Sequence, residues 1–223
     1  MMNRRLLIGT ANVSKLPYLM EYFEGSDIEC VSPAALGLAR FDAPENAKTA
    51  EDNAIEKALA WYHAARMPVL ALDAGLVFLD LPDDDPDQPG VHVRRAPGYV
   101  MDDEEMLNYF AGVVHRHGGR LRCAWQDSYC LLKDEMHRYS YTFDRDMLLA
   151  NAFDMVDVPC AARVPGWPLN SLSIDPYTGK YWLEMTKEDE CLSAEMASAA
   201  HAENRAKLKQ WLQETASRML ESE

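Results

Sequence analysis

The chain has 223 residues and a formal net charge of -14, with 22 Lys and Arg against 36 Asp and Glu. Such an acidic balance argues against a duplex nucleic-acid partner, whose usual footprint is a basic stripe. No stretch approaches the ~20 apolar residues that cross a bilayer. The apolar run behind Arg4 and Arg5 is too short for a signal peptide. We therefore expect no membrane partner and a cytoplasmic location.

Length and cysteine usage narrow the class further. A chain of this length can bury a sizeable core, as one α/β domain or as two lobes. The five cysteines are scattered and form no C-x-x-C pair. This pattern predicts reduced thiols and argues against a zinc site.

The first half of the chain alternates strand and helix patterns. It predicts helices over 13–23 and 50–65 and strands over 5–9, 28–31 and 69–73. This alternation indicates a parallel or mixed sheet. We expect the third strand to end at its carboxylate, Asp73, where an α/β sheet opens onto its usual ligand crevice.

The second half has a different pattern. It predicts a helix over 103–116, a hairpin of strands over 120–132 and 138–143, and a final helix over 194–220. The acidic segment 81–87 fits no calcium-binding loop and is expected to be an exposed turn. No linker-like stretch divides the chain, which predicts a single domain, residues 1–223, with two lobes around a cleft.

Polar residues follow the first predicted strand directly. Thr10, Asn12 and Lys15 lie where a helix begins, and free N–H groups at a helix N-terminus favour anions. A P-loop is excluded, because Ser14 replaces its second glycine and Leu16 replaces its metal-binding hydroxyl.

Three further charged residues suit a metal–polyphosphate site. Glu45 lies in an irregular segment, Lys57 in the second helix and Asp73 at a buried strand. Magnesium prefers a few carboxylates, water and phosphate oxygens. Taken singly, Lys57 also fits a solvated helix face and Glu45 a surface charge, whereas an acid at an apolar strand needs a partner.

The order and spacing of five blocks resemble those of the inosine triphosphate pyrophosphatases, which hydrolyse non-standard purine nucleoside triphosphates. The resemblance is specific over residues 8–98 and looser beyond. The blocks are Thr10-x-Asn12-x-x-Lys15, Glu45-x-x-x-Thr49-x-x-x-Asn53-Ala54-x-x-Lys57-Ala58, Asp73-x-Gly75-Leu76, Pro89-Gly90 with Arg95, and Gly166-Trp167 with Leu183-Glu184-Met185.

The resemblance implies an α/β fold with a long, highly curved mixed β-sheet flanked by helices, two lobes and a central cleft, usually in a homodimer. It also implies Mg²⁺-dependent hydrolysis between the α- and β-phosphates, giving a nucleoside monophosphate and pyrophosphate. By the same resemblance, Glu45 and Asp73 bind the metal, and Asp73 and Lys57 act in catalysis. The implied substrate contacts are Thr10, Asn12, Lys15, Lys57, Asn53, Arg95, Trp167 and Arg205, and His201, one helical turn before Arg205, is a candidate substitute contact.

One departure from the family concerns catalysis. Family members usually carry two adjacent aspartates, whereas this chain has Leu72 before Asp73. General-base assistance is typically worth ~10²–10⁴-fold in rate. If Asp73 both binds metal and orients water, activity persists at a reduced rate.

Other departures fall in the base pocket. Pro168 replaces the family's aspartate, Glu190 replaces its lysine, and Glu203-Asn204-Arg205 replaces its Ser-His-Arg, so that only Arg205 matches. His201 fits either a substitute base contact or a solvated helix residue, and Trp167 either stacks on a base or belongs to the core. We therefore expect an altered base preference.

Three functions follow from these patterns. The first is a magnesium-dependent nucleoside triphosphate pyrophosphatase that removes non-standard purine nucleotides. The second is a catalytically impaired protein of the same fold that binds a nucleotide, as the loss of the acid at Leu72 suggests. The third is a pyrophosphatase for another nucleotide class, such as the septum-formation-inhibitor type.

Overall fold

A computed structural model describes residues 4–13, 15–41, 43–197 and 199–221. Seven strands and six α-helices lie within these residues. The strands are β1 (Arg5–Ile8), β2 (Glu29–Val31), β3 (Val69–Phe78), β4 (Arg120–Leu132), β5 (Arg138–Thr142), β6 (Phe153–Val156) and β7 (Ser173–Ile174). The helices are α1 (Lys15–Glu21), α2 (Ala50–Ala65), α3 (Asp103–Arg116), α4 (Arg145–Ala150), α5 (Lys187–Met196) and α6 (Ala199–Leu220).

The strands form a mixed sheet of order β2-β1-β3-β4-β6-β7, with β5 paired to β4. The strand β1 is parallel to β2 and β3, whereas β4 is antiparallel to β5 and β6. The strand β6 is antiparallel to β7. Helices accompany this sheet, and the predicted class, an α/β fold with a mixed sheet and flanking helices, is confirmed.

The chain divides into two compact units. Unit 1 comprises 1–74, 127–143 and 203–223, and unit 2 comprises 75–126 and 144–202, each with its gaps in the described residues. The strands β3 and β4 contribute residues to both units. The single domain predicted over the whole chain is not tested by this division and stays a prediction.

In unit 1, alternate strand residues face two different sets of helices. Ile8, Leu72 and Tyr129 pack in one buried cluster with residues of α1 and α6, and we call this side the α1 face. Leu7 and Ala71 pack with residues of α2 on the other side, the α2 face. Since successive side chains of a strand point to opposite sides, Leu72 and Asp73 lie on different faces of β3.

In unit 2, the buried face of α3 packs against strands of the sheet. Phe110 and Val113 are buried in one cluster with Leu121 and Phe153 of the strands. A capping box, in which Asp102 and Glu105 each accept a backbone N–H of the other residue, starts the helix. The predicted bounds of α3 are confirmed.

Several predicted elements are confirmed and others are wrong. The bounds of α2 and β4 and the antiparallel hairpin of β4 and β5 agree with prediction. The strand β3 does not end at Asp73 but continues to Phe78, because the segment after Asp73 is also apolar and buried. Asp73 therefore lies within a strand.

The helix predictions need two corrections. The predicted helix 13–23 is the seven-residue α1, Lys15–Glu21, and Ser14 lies outside the described residues. The predicted final helix is two helices, and Ser198 likewise lies outside the described residues. The first, α5, begins earlier than predicted because Thr186 and Asp189 form a capping box. Among the described residues, no helix combines the length and the apolar character that spanning a membrane requires.

Candidate active site

A cavity of about 260 Å³ lies within unit 1, next to the turn that follows β1. This volume is somewhat below the ~300–1,000 Å³ of typical small-molecule sites, so it suits part of a nucleotide. The structure brings five of the predicted site residues together at its wall. The lining residues are Gly9, Thr10, Ala11, Asn12, Lys15, Ala43, Glu45, Lys57, Trp61 and Leu72.

The turn after β1 depends on the absence of a side chain at Gly9. A Cβ added there would lie 2.8 Å from Cδ1 of Trp61 and 2.8 Å from Cγ1 of Val69, closer than real Cβ atoms approach. Glycine thus lets α2 and β3 close on the end of β1. Within the turn, the Asn12 N–H donates to Thr10 Oγ1 at 3.1 Å. This bond orients the Thr10 side chain at the cavity wall.

Lys57 is the centre of a charged group in the cavity. Its Nζ lies 2.5 Å from Glu45 Oε1 and 2.5 Å from Asp73 Oδ1, and it also donates to the Leu72 carbonyl at 3.4 Å. The Lys57 side chain is 12% exposed. The structure therefore excludes the alternative that Lys57 lies on a solvated helix face.

Asn53 connects the members of this charged group by hydrogen bonds. It is 1% exposed, donates from Nδ2 to Asp73 Oδ2 at 3.0 Å and accepts the Ala47 N–H at 2.9 Å. It thereby ties the segment that carries Glu45 to the strand that carries Asp73. The predicted contact between Asn53 and substrate stays a prediction.

The two carboxylates fit a magnesium ion. Glu45 and Asp73 each place an oxygen 2.5 Å from the same nitrogen, so both point to one place. Carboxylate oxygens are the ligands that Mg²⁺ takes from proteins, usually one or two of them with water and phosphate. The Glu45 side chain is 48% exposed, which gives solvent and ions access to it.

Lys15 is the second cation at the cavity wall. Burial lowers the pKa of Lys15, and the nearby Lys57 lowers it further, while Asp127, Asp73 and Glu45 raise it. A buried amine that keeps its charge needs these carboxylates nearby. The sequence predicted an anion site at a helix N-terminus, but α1 has only seven residues. The positive charge at this wall therefore comes from the Lys15 ammonium rather than from the helix.

Sequence analysis missed Asp127, a carboxylate in β4 that lies among these charges. Burial raises the pKa of Asp127 to about 6, against the effects of Lys15 and of a hydrogen bond from Tyr129, while Asp73 raises it further. The signal was available, because Asp127 interrupts the mostly apolar run from Cys123 to Leu132. An acid in such a strand needs a partner, for the same reason as Asp73.

The residues expected at the base have different surroundings. Arg205 pairs with Glu21 at 2.7 Å in unit 1, and both side chains are about half exposed. In unit 2, Trp167 is 41% exposed, His201 is exposed, and Arg95 lies beside His92. Their predicted contacts with substrate stay predictions.

A separate group of possible metal ligands lies in unit 2. Oxygen or nitrogen atoms of Asp85, Asp87 and His117 lie within 4.8 Å of one another. Asp87 is also paired with Arg116 at 2.7 Å, and this pair together with His117 lowers the pKa of Asp87. Arg116 supplies the positive charge that a metal ion would otherwise bring.

Comparison with known sequences gives a consistent family assignment. The sequence model of the Ham1 family matches residues 6–142. A dITP/XTP pyrophosphatase of Methylococcus capsulatus is 32% identical over 130 residues, which are 55% of this chain and 60% of that protein. A dITP/XTP pyrophosphatase of Bradyrhizobium diazoefficiens is 36% identical over 98 residues, 44% of each chain. The matched segments thus cover less than two thirds of these curated relatives.

Solved structures share the fold over nearly the whole chain. A HAM1 protein from Coxiella burnetii has a TM-score of 0.66 at 18% identity and covers 94% of this chain and 98% of its own. The Ham1 protein of Staphylococcus aureus has a TM-score of 0.65 at 20% identity and covers 95% and 99%. At such low identity these likenesses establish the fold alone.

Proposed function

The chain belongs to the Ham1 family, and we propose that it hydrolyses a nucleoside triphosphate to the nucleoside monophosphate and pyrophosphate. The observation that carries this proposal is the unit 1 cavity, which Lys15, Lys57 and Glu45 line and in which Lys57 pairs with Glu45 and Asp73. Phosphoryl chemistry depends mainly on positioning and on charge stabilisation. Two lysines and two carboxylates at one cavity supply both. The relatives named dITP/XTP pyrophosphatases support the same reaction class.

Mg²⁺ is the proposed cofactor, held by Glu45 and Asp73. When bound, it would neutralise phosphate charge and polarise a phosphoryl oxygen. Lys57 lies between these two carboxylates, so it keeps them together when the metal is absent. The same ammonium is available to a phosphate oxygen once the carboxylates turn to the metal.

The remaining roles follow from position. Lys15, with the polar side chains of Thr10 and Asn12, binds phosphate oxygens at the cavity wall. Asp73 accepts the proton of the attacking water, since one of its oxygens accepts from Asn53, the other accepts from Lys57, and each has a second lone pair. Asn53 fixes the orientation of Asp73 for that step.

A catalytically impaired nucleotide-binding protein is the second candidate. One observation favours it, because the cavity is lined by the apolar residue Leu72 at the position where the family usually carries a second acid. Such a protein would bind a nucleoside triphosphate through the same lysines and release no pyrophosphate.

We further propose non-standard purine nucleotides as the substrates, with a base preference weaker than that of the family, and a homodimer in the cytoplasm. The support is the family resemblance together with the replaced base-pocket residues, Pro168 and Asn204 among them. A substrate of another nucleotide class would appear in the same assay.

Pyrophosphate release from a panel of nucleoside triphosphates, with and without Mg²⁺, tests the proposal. We expect pyrophosphate rather than inorganic phosphate, only with Mg²⁺, and loss of the reaction in Asp73→Asn. Asp84→Asn, the same change at an exposed position, serves as the matched control. Tight binding of a triphosphate without pyrophosphate release would select the second candidate, and neither binding nor release would refute both.

A further inference from the structure

Two short spacings place Lys15 and Asp127 on elements that pack in one cluster, the helix α1 and the strand β4. Lys15 and Tyr18 are three residues apart on α1, so they are neighbours on the helix surface. Asp127 and Tyr129 are two residues apart on β4, so they project from the same side of the strand. Tyr129 is buried in the cluster of the α1 face, and Asp127 therefore lies on that face too.

Hydrogen bonds join these two pairs. The hydroxyl oxygens of Tyr18 and Tyr129 are 3.0 Å apart, and the Tyr129 hydroxyl donates to Asp127 Oδ2 at 3.3 Å. The hydroxyls of Tyr18 and Tyr22 are 2.7 Å apart, which extends this series of hydrogen bonds to the residue after α1. Because the tyrosines meet, Lys15, one turn before Tyr18, and Asp127, two positions before Tyr129, lie on the same side of this contact, and their charges interact through space.

We propose that Asp127 is the positioning residue of Lys15: its carboxylate, held by Tyr129, keeps the Lys15 ammonium charged and in place at the cavity wall. The inference rests on the proposed function, in that phosphate is the anion that Lys15 binds. In this proposal Asp127 acts through Lys15 and not on the substrate.

The surrounding charges explain why Lys15 needs this support. Lys57 repels it, and Lys57 is itself bound to Glu45 and Asp73. Among the groups that raise the pKa of Lys15, Asp127 has the largest effect, ahead of Asp73 and Glu45. Asp127 is in turn surrounded by Lys15, Tyr129 and Asp73. Removing its charge leaves a buried amine beside a second cation.

The functional consequence is that loss of the Asp127 charge affects the enzyme before substrate binds and not the enzyme–substrate complex. In Asp127→Asn the pKa of Lys15 falls, so the amine loses its proton at a lower pH and the triphosphate binds less well in alkaline solution. A bound triphosphate brings its own negative charge and restores the ammonium. The alkaline limb of kcat/KM therefore moves to lower pH, whereas kcat changes little, since kcat/KM reports the free enzyme.

The direct test follows the Lys15 side chain by NMR in the full chain labelled with ¹³C-lysine, with the signal assigned by its loss in Lys15→Arg. We expect its titration to move to lower pH in Asp127→Asn and, by less, in Tyr129→Phe. Glu24→Gln removes an exposed charge of the same unit and should leave it in place. An unchanged Lys15 titration in both Asp127→Asn and Tyr129→Phe would overturn the proposal, whatever the enzyme hydrolyses.

A second test measures binding of tripolyphosphate in alkaline solution, so that it does not depend on turnover. We expect Asp127→Asn to weaken binding about tenfold, the factor that one unit of pKa is worth. The same substitution in a Lys15→Arg background should have little effect, because arginine keeps its charge. Equal losses in both backgrounds would mean that Asp127 supports the fold rather than Lys15. Asp127→Glu should recover part of the binding.

If Lys15 titrates as proposed but no nucleotide is hydrolysed, the proposed function fails and the positioning role stands. If nucleotides are hydrolysed and Lys15 titrates alike with and without the Asp127 carboxylate, the reverse holds.

Discussion

The phosphate cavity of unit 1 and the segment 166–205 differ in how their polar residues are held. In the cavity, Lys57, Glu45, Asp73 and Asn53 contact one another over 2.5–3.0 Å, and Asp73 and Asn53 are buried. In the segment, Trp167 and His201 are exposed, and Arg205 is paired with a surface glutamate. The cavity residues are preorganised by their own contacts, whereas the predicted base contacts Trp167, His201 and Arg205 are exposed or paired at the surface.

This difference teaches where specificity can reside. Recognition of a triphosphate needs charge at fixed positions, and that can be built from a turn, a helix and a strand of one unit. Discrimination between bases needs buried polar groups that the wrong base would leave unpaired. We therefore expect the cavity residues to dominate rate and affinity and the segment 166–205 to contribute little selectivity.

The largest expected effect is at Asp73. Asp73→Asn removes the charge that Lys57 and Asn53 hold in place, and we expect the pyrophosphate-release rate to fall by at least ~10²-fold. Steady-state rates of the variant, the wild type and Asp84→Asn provide the measurement. Full activity in Asp73→Asn would remove Asp73 from the mechanism. It would also contradict the expectation that the cavity residues dominate the rate.

The next effect is on affinity. Each charge-assisted contact is worth about 1.5–3 kcal/mol, so Lys15→Ala should weaken triphosphate binding ~10–100-fold. Thermal stability should change little, because removing the partly buried Lys15 relieves both desolvation and repulsion from Lys57, which offset the lost attraction of Asp127, Asp73 and Glu45. Titration calorimetry and a melting curve measure the two quantities. A large drop in melting temperature with unchanged binding would show that Lys15 is structural.

Asp127→Asn should also weaken phosphate binding, but unlike Lys15→Ala it should make the fold more stable. Its pKa in the folded state is about 6, above the ordinary 3.8, so the fold favours the protonated form. The stability that this protonation contributes is complete below about pH 4 and is lost as the pH rises through 6. At neutral pH, the free energy of unfolding of Asp127→Asn should therefore exceed that of wild type by at most about 3 kcal/mol, and its melting temperature should be higher. In acid the two proteins should not differ. Melting curves across this pH range decide the sign.

The smallest effect concerns the base. Stacking tolerates any base and is worth about 1–3 kcal/mol, and Trp167 is the stacking candidate. We expect a weak preference for inosine or xanthosine triphosphate over ATP and GTP, measured as the ratio of kcat/KM values. A ratio of inosine triphosphate to ATP above about 10³ would require polar readout of the base. His201 and Arg205 would then be the residues to mutate first.

Particular elements show what the sequence could predict. The period of α2 and the alternation around the hairpin gave the right bounds, because both signals are local. The end of β3 was misplaced, since an apolar run with one acid does not reveal where pairing stops. The same holds for the site. The spacing along the chain predicted that Thr10, Asn12 and Lys15 belong to one turn, but it could not predict their distance in space from Glu45.

The sequence by itself determined the family, the sheet-and-helix order of unit 1 and the residue types of the phosphate site, because these depend on short spacings along the chain. Only the tertiary structure decided the role of Asp127, which lies 112 positions after Lys15. It is the contact between Tyr18 and Tyr129 that makes these two residues neighbours. A charge acts through distance in space, and no spacing along a chain records that distance until the sheet has formed.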